Sequence, residues 1–232
     1  MGQGLALTMK MRTAVAVLAL AALAACGSSK YEGPPLLKVA GGLAKATVGQ
    51  VTGRGAAGAT KKAAPVTRAD IEKYGIPILR AVIPVRSADA LLTISDQKGN
   101  VITWATTDGS SFTLREGVLI QTRGLGPDLM SAQAPSAAAL RTAGGTHQRI
   151  YFFLGEDDQT TRRTYDCTVT ASGSEKIEIY SRAHNVSKFV ETCSRPQGSI
   201  TNTFWFEGTE IRKSRQLASG GLGFIDFERA VD

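Results

Sequence analysis

The 232-residue chain has few of the side chains that enzymes use for chemistry. Its two histidines, His147 and His184, stand far apart and lack the Cys/His spacing that is typical of a zinc site. No serine lies in the setting of a nucleophile elbow, which leaves Ser/His/Asp hydrolysis without an anchor. The glycine-rich runs at 124–126 and 220–223 miss the phosphate-binding patterns and are interpreted as turns. The sequence therefore indicates no catalytic residue, no metal site and no cofactor.

An acidic run and four aromatic residues leave alternatives open. The acidic run at 156–158 could bind calcium or supply an acid/base pair, although acidic clusters at hairpin tips are usually solvated turns. Each histidine is interpreted as a surface or strand-end residue. The aromatic residues could stack on sugar rings, but on alternating strands such residues more often belong to the core. They are Trp104, Tyr151, Tyr180 and Trp205.

No apolar run is long enough to cross a bilayer as a helix. The N-terminal run at 13–22 has ten residues, follows a short basic segment and leads into Leu-Ala-Ala before Cys26. This order is typical of a bacterial lipoprotein signal peptide, which is cleaved before a cysteine that takes acyl chains. A chance cysteine after an ordinary signal peptide is the alternative. We predict a signal peptide at 1–25, starting at Met1 or Met9, and lipidation at Cys26. Because Gly27 and not aspartate follows, we expect an outer-membrane location facing the periplasm.

Positive charge is concentrated between Gly27 and Ala69. This segment has seven basic residues and one acid, whereas the chain from Asp70 onward has 18 basic and 19 acidic residues. The basic composition is therefore poor support for nucleic-acid binding. A basic segment beside a lipid anchor can lie along anionic headgroups, each cation adding up to about 1 kcal/mol; a merely solvated linker is the alternative. Because glycine disfavours helices, we expect a flexible Gly/Ala-rich tether at 26–64, with at most a short helix near 35–47.

The remaining residues, 65–232, are predicted to form one all-β domain. The stretch 101–130 shows this most clearly, with a strand at 101–105, a turn at Asp108-Gly109 and two short strands within 112–123 that break at Gly117. Asp-Gly between alternating apolar residues is a strong hairpin signal, because glycine accepts the positive φ of a tight turn. We interpret this stretch as the central meander of the domain. Turns recur every 8–12 residues, as in an antiparallel β-sandwich or a barrel-like domain.

Outside the meander the sequence predicts nine strands and two helical turns. Thr67 is predicted to cap a helical turn that ends at Gly75. Residues 136–141 are predicted to form a second helical turn within the long connection 130–145. Pro77 and Pro84 indicate that the strand at 78–85 is an edge. The strand at 148–154 is apolar on both faces, which favours a central position. The predicted strands are 78–85, 90–95, 148–154, 161–170, 176–181, 186–193, 199–207, 210–216 and 224–228.

Two cysteines remain once Cys26 is lipidated. Cys167 and Cys193 lie on two predicted strands, in a chain that we expect to be exported to an oxidising compartment. An even remainder favours a disulfide, which would stabilise the fold by about 3 kcal/mol on the chain-entropy model. Two buried free thiols are the alternative.

The stretch 101–130 and the C-terminal strands resemble the YjbF/GfcB family of bacterial lipoproteins. The similar positions in the meander are Trp104, Asp108, Gly109, Gly117, Thr122, Gly124, Leu125, Asp128 and Leu129. Those near the C terminus are 202–205 (Asn-Thr-Phe-Trp), Ser214 and Gln216. The chain differs from the family pattern at Glu116 and Val118. The resemblance implies a β-rich periplasmic domain on the outer membrane, associated with an outer-membrane β-barrel and other proteins of exopolysaccharide or group 4 capsule export. It carries over no catalytic residue.

The resulting prediction is an accessory lipoprotein of polysaccharide export that binds and does not catalyse. Candidate contacts to a sugar or a protein partner are Trp104, Arg123 and Trp205. A carbohydrate-active enzyme and a purely structural partner of the outer-membrane barrel are the alternatives. A cleft with two acids and exposed aromatics would favour the enzyme, and a flat apolar patch at a sheet edge would favour the structural partner.

Overall fold

A computed structural model of the chain describes residues 66–155 and 159–232. The predicted signal peptide, the lipidation site Cys26, the tether and the acidic run at 156–158 all lie outside these ranges and stay predictions. Within them, no helix has the length and apolarity needed to cross a membrane.

Two short helices and twelve strands make up the described residues. Helix α1 is Arg68–Glu72 and α2 is Ala137–Leu140, and a 3-10 turn spans Pro84–Arg86. Thr67 caps α1 as predicted, in a reciprocal capping box with Asp70. The strands are β1 Ile78–Ile83, β2 Ala88–Lys98, β3 Val101–Ala105, β4 Ser111–Arg115, β5 Val118–Arg123, β6 Leu129–Gln133, β7 Thr146–Leu154, β8 Thr160–Ile179, β9 Arg182–Arg195, β10 Gly198–Glu207, β11 Glu210–Ser219 and β12 Gly223–Val231.

All twelve strands form one antiparallel sheet that curls into a nearly closed barrel, so the predicted fold class is confirmed. The spatial order is β5-β4-β3-β2-β1-β12-β11-β10-β9-β8-β7-β6. Strands that pair in the sheet are consecutive in sequence, except β1 and β12, whose pairing joins the two halves. The two end strands meet where Arg123 of β5 donates hydrogen bonds to the carbonyl oxygens of Leu129 and Met130 in β6. Side chains thus hold the seam between the two ends.

The core fills the inside of the barrel. Alternation along β1 and β2 turns Leu79, Ala81 and Leu92 inward, where they pack with Trp104 and Phe227. Helix α2 covers a second apolar cluster that includes Phe204 and Phe206. Helix α1 covers a third, around Ile71 and Ile179. Both helices therefore lie over the sheet and bury apolar residues there.

Four details of the predicted strand pattern are wrong. Strand β1 is not an edge, because Pro77 and Pro84 fall just outside it and remove no ladder hydrogen bond. Strand β7 lies next to the end strand β6 and is not central. The meander β3–β5 forms one end of the sheet, not its middle. Strand β6 occupies part of the predicted connection 130–145.

In a fifth difference, the predicted strands 161–170 and 176–181 form one strand, and the serine- and glycine-rich residues 172–174 between them form a bulge. Strand β8 runs unbroken from Thr160 to Ile179, and its register with β9 shifts between Ala171 and Ser174. Gly173 has a φ of +82°, which a glycine adopts without steric cost. The glycine and serine signal was real, but it marks an irregularity inside one long strand.

Candidate functional site

A half-open cavity of about 450 Å³ lies at one mouth of the barrel. Its inner wall is apolar, with Trp104 and Phe227 among the side chains that line it. Its outer wall is polar and charged. The apolar lining residues are Leu79, Ile102, Trp104, Leu114, Ile211 and Phe227, and the polar ones are Asn100, Glu116, Arg141, Thr209, Glu210, Arg212, Ser214 and Arg229. We call this cavity the mouth pocket.

The turn between β4 and β5 shapes one side of the mouth pocket. Glu116 and Gly117 both have positive φ, at 52° and 82°. A Cβ on Gly117 would lie 3.0 Å from Cβ of Ile211, so only glycine fits here without displacing Ile211. The tight turn directs the Glu116 carboxylate to the start of α2, where it accepts a hydrogen bond from the Ala137 amide at 3.0 Å. The sequence difference from the family pattern at Glu116 therefore has a structural role in holding α2.

The Glu116 carboxylate remains charged in this setting. The Ala137 amide and the Asn100 side chain, which donates at 2.8 Å, hold the pKa of Glu116 below its ordinary value. Two hydrogen bonds donated to a carboxylate favour its ionised form. The shift is opposite to the one that a general acid needs at neutral pH.

Two arginines of the mouth pocket are paired with acids. Arg212 contacts Glu207 at 2.8 Å and also pairs with Asp232. Arg229 contacts Glu210 at 3.0 Å and Asp232 at 3.1 Å. Glu207 also accepts from His184 at 3.0 Å. Strands β9 to β12 thus bring a chain of alternating charges to the rim.

The third arginine of the mouth pocket, Arg141, has no acid partner among the described residues. It follows the last residue of α2 and donates one hydrogen bond, to the Gly208 carbonyl oxygen at 3.2 Å. Its guanidinium carbon lies 5.7 Å from the ring centre of Phe206. Its Nε is buried and has no hydrogen-bond partner.

The structure does not bring the three predicted contact residues together. Trp104 is buried at 3% exposure and forms part of the inner wall of the mouth pocket. Arg123 is engaged at the barrel seam, where its guanidinium donates to three carbonyl oxygens. Trp205 is part of a ladder of side chains across β10 and its neighbours. A contact role for any of the three stays a prediction.

The ladder around Trp205 crosses seven strands. Lys188 and Lys213, its partners in register on β9 and β11, place their ammonium groups 5.3 and 5.7 Å from the Trp205 ring centre. Beyond Lys213, Glu228 pairs with Arg80 at 2.8 Å. The members in spatial order are Glu175, Lys188, Trp205, Lys213, Glu228, Arg80 and Asp89. Such partly exposed pairs each contribute little, and together they tie neighbouring strands.

A second polar cluster is buried among β7, β9 and β10. The Glu191 carboxylate is fully buried and lies 2.6 Å from His147 Nε2, 3.1 Å from Arg149 Nε and 2.6 Å from Asn202 Nδ2. Burial opposes its charge, but Arg149, His147 and Asn202 outweigh burial and lower the pKa of Glu191. We call this group the Glu191 cluster.

Both histidines lie near the starts of strands, as predicted, but neither is a free surface side chain. His147 contacts Glu191, and His184 is buried at 3% exposure beside Glu207. Of the two alternatives, surface or strand end, His184 therefore fits the strand end; its burial was not visible in local sequence patterns, because its glutamate partner lies 23 positions away. Tyr151 is also fully buried and belongs to the core.

The disulfide between Cys167 and Cys193 lies next to the Glu191 cluster. The two residues face each other in the β8–β9 register, with Cα atoms 3.9 Å apart and sulfurs bonded. Ligand atoms of His147, Cys167 and Glu191 lie within 4.8 Å of one another. Because the Cys167 sulfur is bonded to Cys193, the group offers no thiolate to a metal.

Several residues behind the family resemblance hold the barrel together. The Thr122 hydroxyl donates to Asp128 at 2.7 Å and accepts from the Leu129 amide at 2.9 Å, which fixes the turn from β5 to β6. The Asn202 carbonyl accepts from the Leu217 amide at 2.8 Å. These buried polar groups therefore find hydrogen-bond partners outside their own strands.

Sequence reasoning missed the charged lining of the mouth pocket. Arg212 and Arg229 lie on predicted strands or beside them, but alternation does not distinguish an arginine at a barrel mouth from a solvated one. Arg141 follows the alanines of α2. Basic residues are common at the C-terminal ends of helices, so the sequence did not mark this arginine as part of a site. One usable signal was Glu116-Gly117, a pair that requires a left-handed turn beside the pocket.

Comparisons with known proteins agree with the resemblance. Residues 44–229 match the family model described as group 4 capsule polysaccharide lipoprotein gfcB, YjbF. No curated protein matches the chain. The fold is similar to the crystal structure of the hypothetical lipoprotein YmcC from Escherichia coli (K12), with a TM-score of 0.63 and 21% identity over 72% of this chain and 89% of that chain. The family match covers most of the sequence, and the chain belongs to the YjbF/GfcB family of group 4 capsule polysaccharide lipoproteins.

Proposed function

We propose that this lipoprotein is anchored in the outer membrane, faces the periplasm and acts as a non-catalytic accessory factor in exopolysaccharide or capsule export. The proposal adds that it binds a segment of polysaccharide in the mouth pocket. The observation that carries it is the pocket itself, with an apolar inner wall, a polar rim and a volume of about 450 Å³. Ligand sites in proteins typically combine a concave apolar surface with a few polar groups in this way.

A sugar suits both walls of the mouth pocket. The C–H faces of a sugar ring pack on aromatic and aliphatic side chains such as Trp104 and Phe227. Its hydroxyls can donate to Glu116 and accept from Arg212 or Arg229. The charged groups of the rim are held by one another, so they are in position before a ligand arrives.

A carbohydrate-active enzyme is the second candidate, because two carboxylates line the mouth pocket. They belong to Glu116 and Glu210. Hydrolysis would require one of them to hold a proton at neutral pH. The lowered pKa of Glu116 favours its ionised form, and the Glu210 carboxylate is engaged by Arg229, so the contacts favour a binding role.

A purely structural role has less support in the described residues. There the large apolar side chain that is well exposed is Val85, at 68% exposure. A single such residue does not make an apolar patch of the kind that marks a stable protein interface. The proposed protein partners are an outer-membrane β-barrel and other export proteins. The lipid anchor at Cys26 and the basic tether would hold the domain at the membrane, within reach of these partners. No nucleic-acid partner is expected.

Deletion of the gene and complementation test this function. We expect deletion to lower surface polysaccharide while polymer continues to be made in the cell, because an export factor acts after synthesis. Ala138 is exposed and lines the mouth pocket, so Ala138→Trp should block the pocket without disturbing the core and should fail to restore export. The matched control is Ala183→Trp, which changes an exposed residue of β9 outside the pocket.

Two outcomes would contradict the proposal. Surface polysaccharide that is unchanged by deletion would remove the export role. Export restored fully by Ala138→Trp, with the variant folded and anchored, would remove the pocket from it. Cleavage of polysaccharide by the purified protein that Glu116→Gln or Glu210→Gln abolishes would favour the enzyme instead.

A further inference from the structure

We propose that the mouth pocket recognises a carboxylate through Arg141, so that its ligand is an acidic sugar of the uronic acid type. The inference deepens the proposed function, since it rests on a saccharide binding in the same pocket.

Arg141 is the lining cation that no acid neutralises among the described residues. The Gly208 carbonyl oxygen is the acceptor that its guanidinium reaches, at 3.2 Å. Its Nε is buried without a hydrogen-bond partner, as is Nε of Arg229, so this atom is closed to a ligand and does not single out Arg141. A guanidinium has five N–H donors in a fixed fork. The Nη donors of Arg141 that the Gly208 carbonyl oxygen does not take are therefore in reserve for a planar acidic group.

The remaining charges of the mouth pocket are already engaged. Arg212 is paired with Glu207 and Asp232, and Arg229 with Glu210 and Asp232. Glu116 is negative and unpaired with a cation, but both of its oxygens accept hydrogen bonds, from Asn100 and Ala137. Arg212 and Arg229 together have three acid partners, Glu207, Glu210 and Asp232. Arg141 is the lining arginine that has no acid partner among the described residues.

A carboxylate fits Arg141 better than a neutral hydroxyl does. Two parallel N–H donors match the two oxygens of a carboxylate, and such charge-assisted pairs are roughly twice as strong as neutral hydrogen bonds. The guanidinium lies over the ring of Phe206, and this contact limits the side-chain freedom that would be lost on binding.

The polar rim distinguishes an acidic sugar from a fatty acid. Both offer a carboxylate, and an acyl chain would suit the apolar inner wall. An acyl chain would also cover Thr209, and the part of the Asn100 amide that Glu116 does not use, without giving them hydrogen-bond partners. Ring hydroxyls can supply those partners, so the geometry points to the sugar.

Calorimetry on the mature lipidated protein in nanodiscs tests the proposal. The probes are tetragalacturonate and its fully methyl-esterified form, which keeps the shape and removes the charge. We expect wild type to bind the acid at least about tenfold more tightly than the ester, as one charged hydrogen-bonded pair provides. Arg141→Gln should lower binding of the acid to the level of the ester and leave the ester unchanged. The matched control, Arg162→Gln on an exposed position of β8, should behave as wild type.

The outcomes separate this inference from the function on which it rests. Equal binding of acid and ester by wild type, or an Arg141→Gln variant that keeps the preference, would overturn the carboxylate site and leave the saccharide pocket standing. Binding of neither probe, and of no neutral oligosaccharide, would overturn both. Dodecanoate that binds more tightly than tetragalacturonate and displaces it would assign the carboxylate to a lipid and reject the sugar.

Discussion

The side chain of Gln216 pairs with the backbone of Leu119 across the barrel, 97 positions away in sequence. Its carbonyl oxygen accepts from the Leu119 amide at 2.9 Å, and its amide group donates to the Gly117 carbonyl oxygen at 2.9 Å. Strand β5 is an end strand of the sheet and has a paired strand on one side only. The Gln216 side chain, from β11, supplies hydrogen bonds to backbone groups at the start of β5 that no neighbouring strand pairs. Gln216 is one of the positions that carry the family resemblance.

Replacement of Gln216 should destabilise the domain through these two backbone groups. Gln216→Leu keeps a similar volume but leaves a buried N–H and C=O without partners, and we expect the free energy of unfolding to fall by about 2–4 kcal/mol. Urea denaturation followed by circular dichroism measures the loss. Gln97→Leu, at an exposed position of β2, is the matched control and should change stability little. Equal stability of the two variants would mean that β5 does not depend on Gln216.

The disulfide gives a second prediction. Cys167 and Cys193 close a loop of 26 positions, so the double variant Cys167→Ala/Cys193→Ala should lose about 3 kcal/mol of unfolding free energy. A reductant should destabilise wild type and have no effect on the double variant. Mass spectrometry without reductant should show the two peptides linked. Two thiols that are freely alkylated in the native exported protein would contradict the bond.

The Glu191 cluster predicts how stability depends on pH. Folding lowers the pKa of Glu191 below its ordinary value of 4.5, so the unfolded chain takes up this proton first as pH falls. The contribution of Glu191 is therefore present above about pH 4.5 and is lost as pH falls through the folded pKa. The charged or titratable neighbours that face it are His147, Arg149 and Tyr151.

Thermal unfolding of Glu191→Gln between pH 3 and pH 7 tests that dependence. We expect the variant to be less stable than wild type at pH 7, because Arg149 is left buried without a counter-charge, and the difference to shrink as pH falls below about 4.5. Glu178→Gln is the control, at an exposed position of β8. A difference between wild type and Glu191→Gln that stays constant down to pH 3 would assign no titration to Glu191.

Anchoring is tested at Cys26, outside the described residues. Because we expect a tether and not a strand to follow the cysteine, Cys26→Ser should release a folded, soluble domain from the membrane fraction. Wild type should incorporate labelled palmitate and the variant should not. Labelling that is equally strong in Cys26→Ser would place the acyl chain elsewhere and end this interpretation.

Local patterns were enough to predict the all-β fold and most turns. Gly109 and Gly117 adopt the positive φ of tight turns, and the alternation on either side turns apolar residues to one face. The hairpins β3–β4 and β4–β5 therefore follow from neighbouring residues alone. Two features of the sequence favoured the pairing of Cys167 with Cys193: two cysteines remain after lipidation, and the expected compartment is oxidising. The register of β8 and β9 places the two residues opposite each other.

Tertiary structure alone decided which strands close the barrel and what the interior holds. The pairing of β1 with β12, the mouth pocket and the Glu191 cluster each join residues far apart in the chain, and no local pattern encodes a partner at that distance. Strand alternation predicts that Arg212 and Gln216 lie on the same face of their strand. Only closure of the sheet turns that face towards the inside of the barrel and places Arg141 beside Arg212 in the mouth pocket. Sequence by itself determined most strands, most turns and the family resemblance, because these depend on short runs of residues. Closure of the sheet determined the site, because the site is made of contacts between residues that lie far apart in the chain.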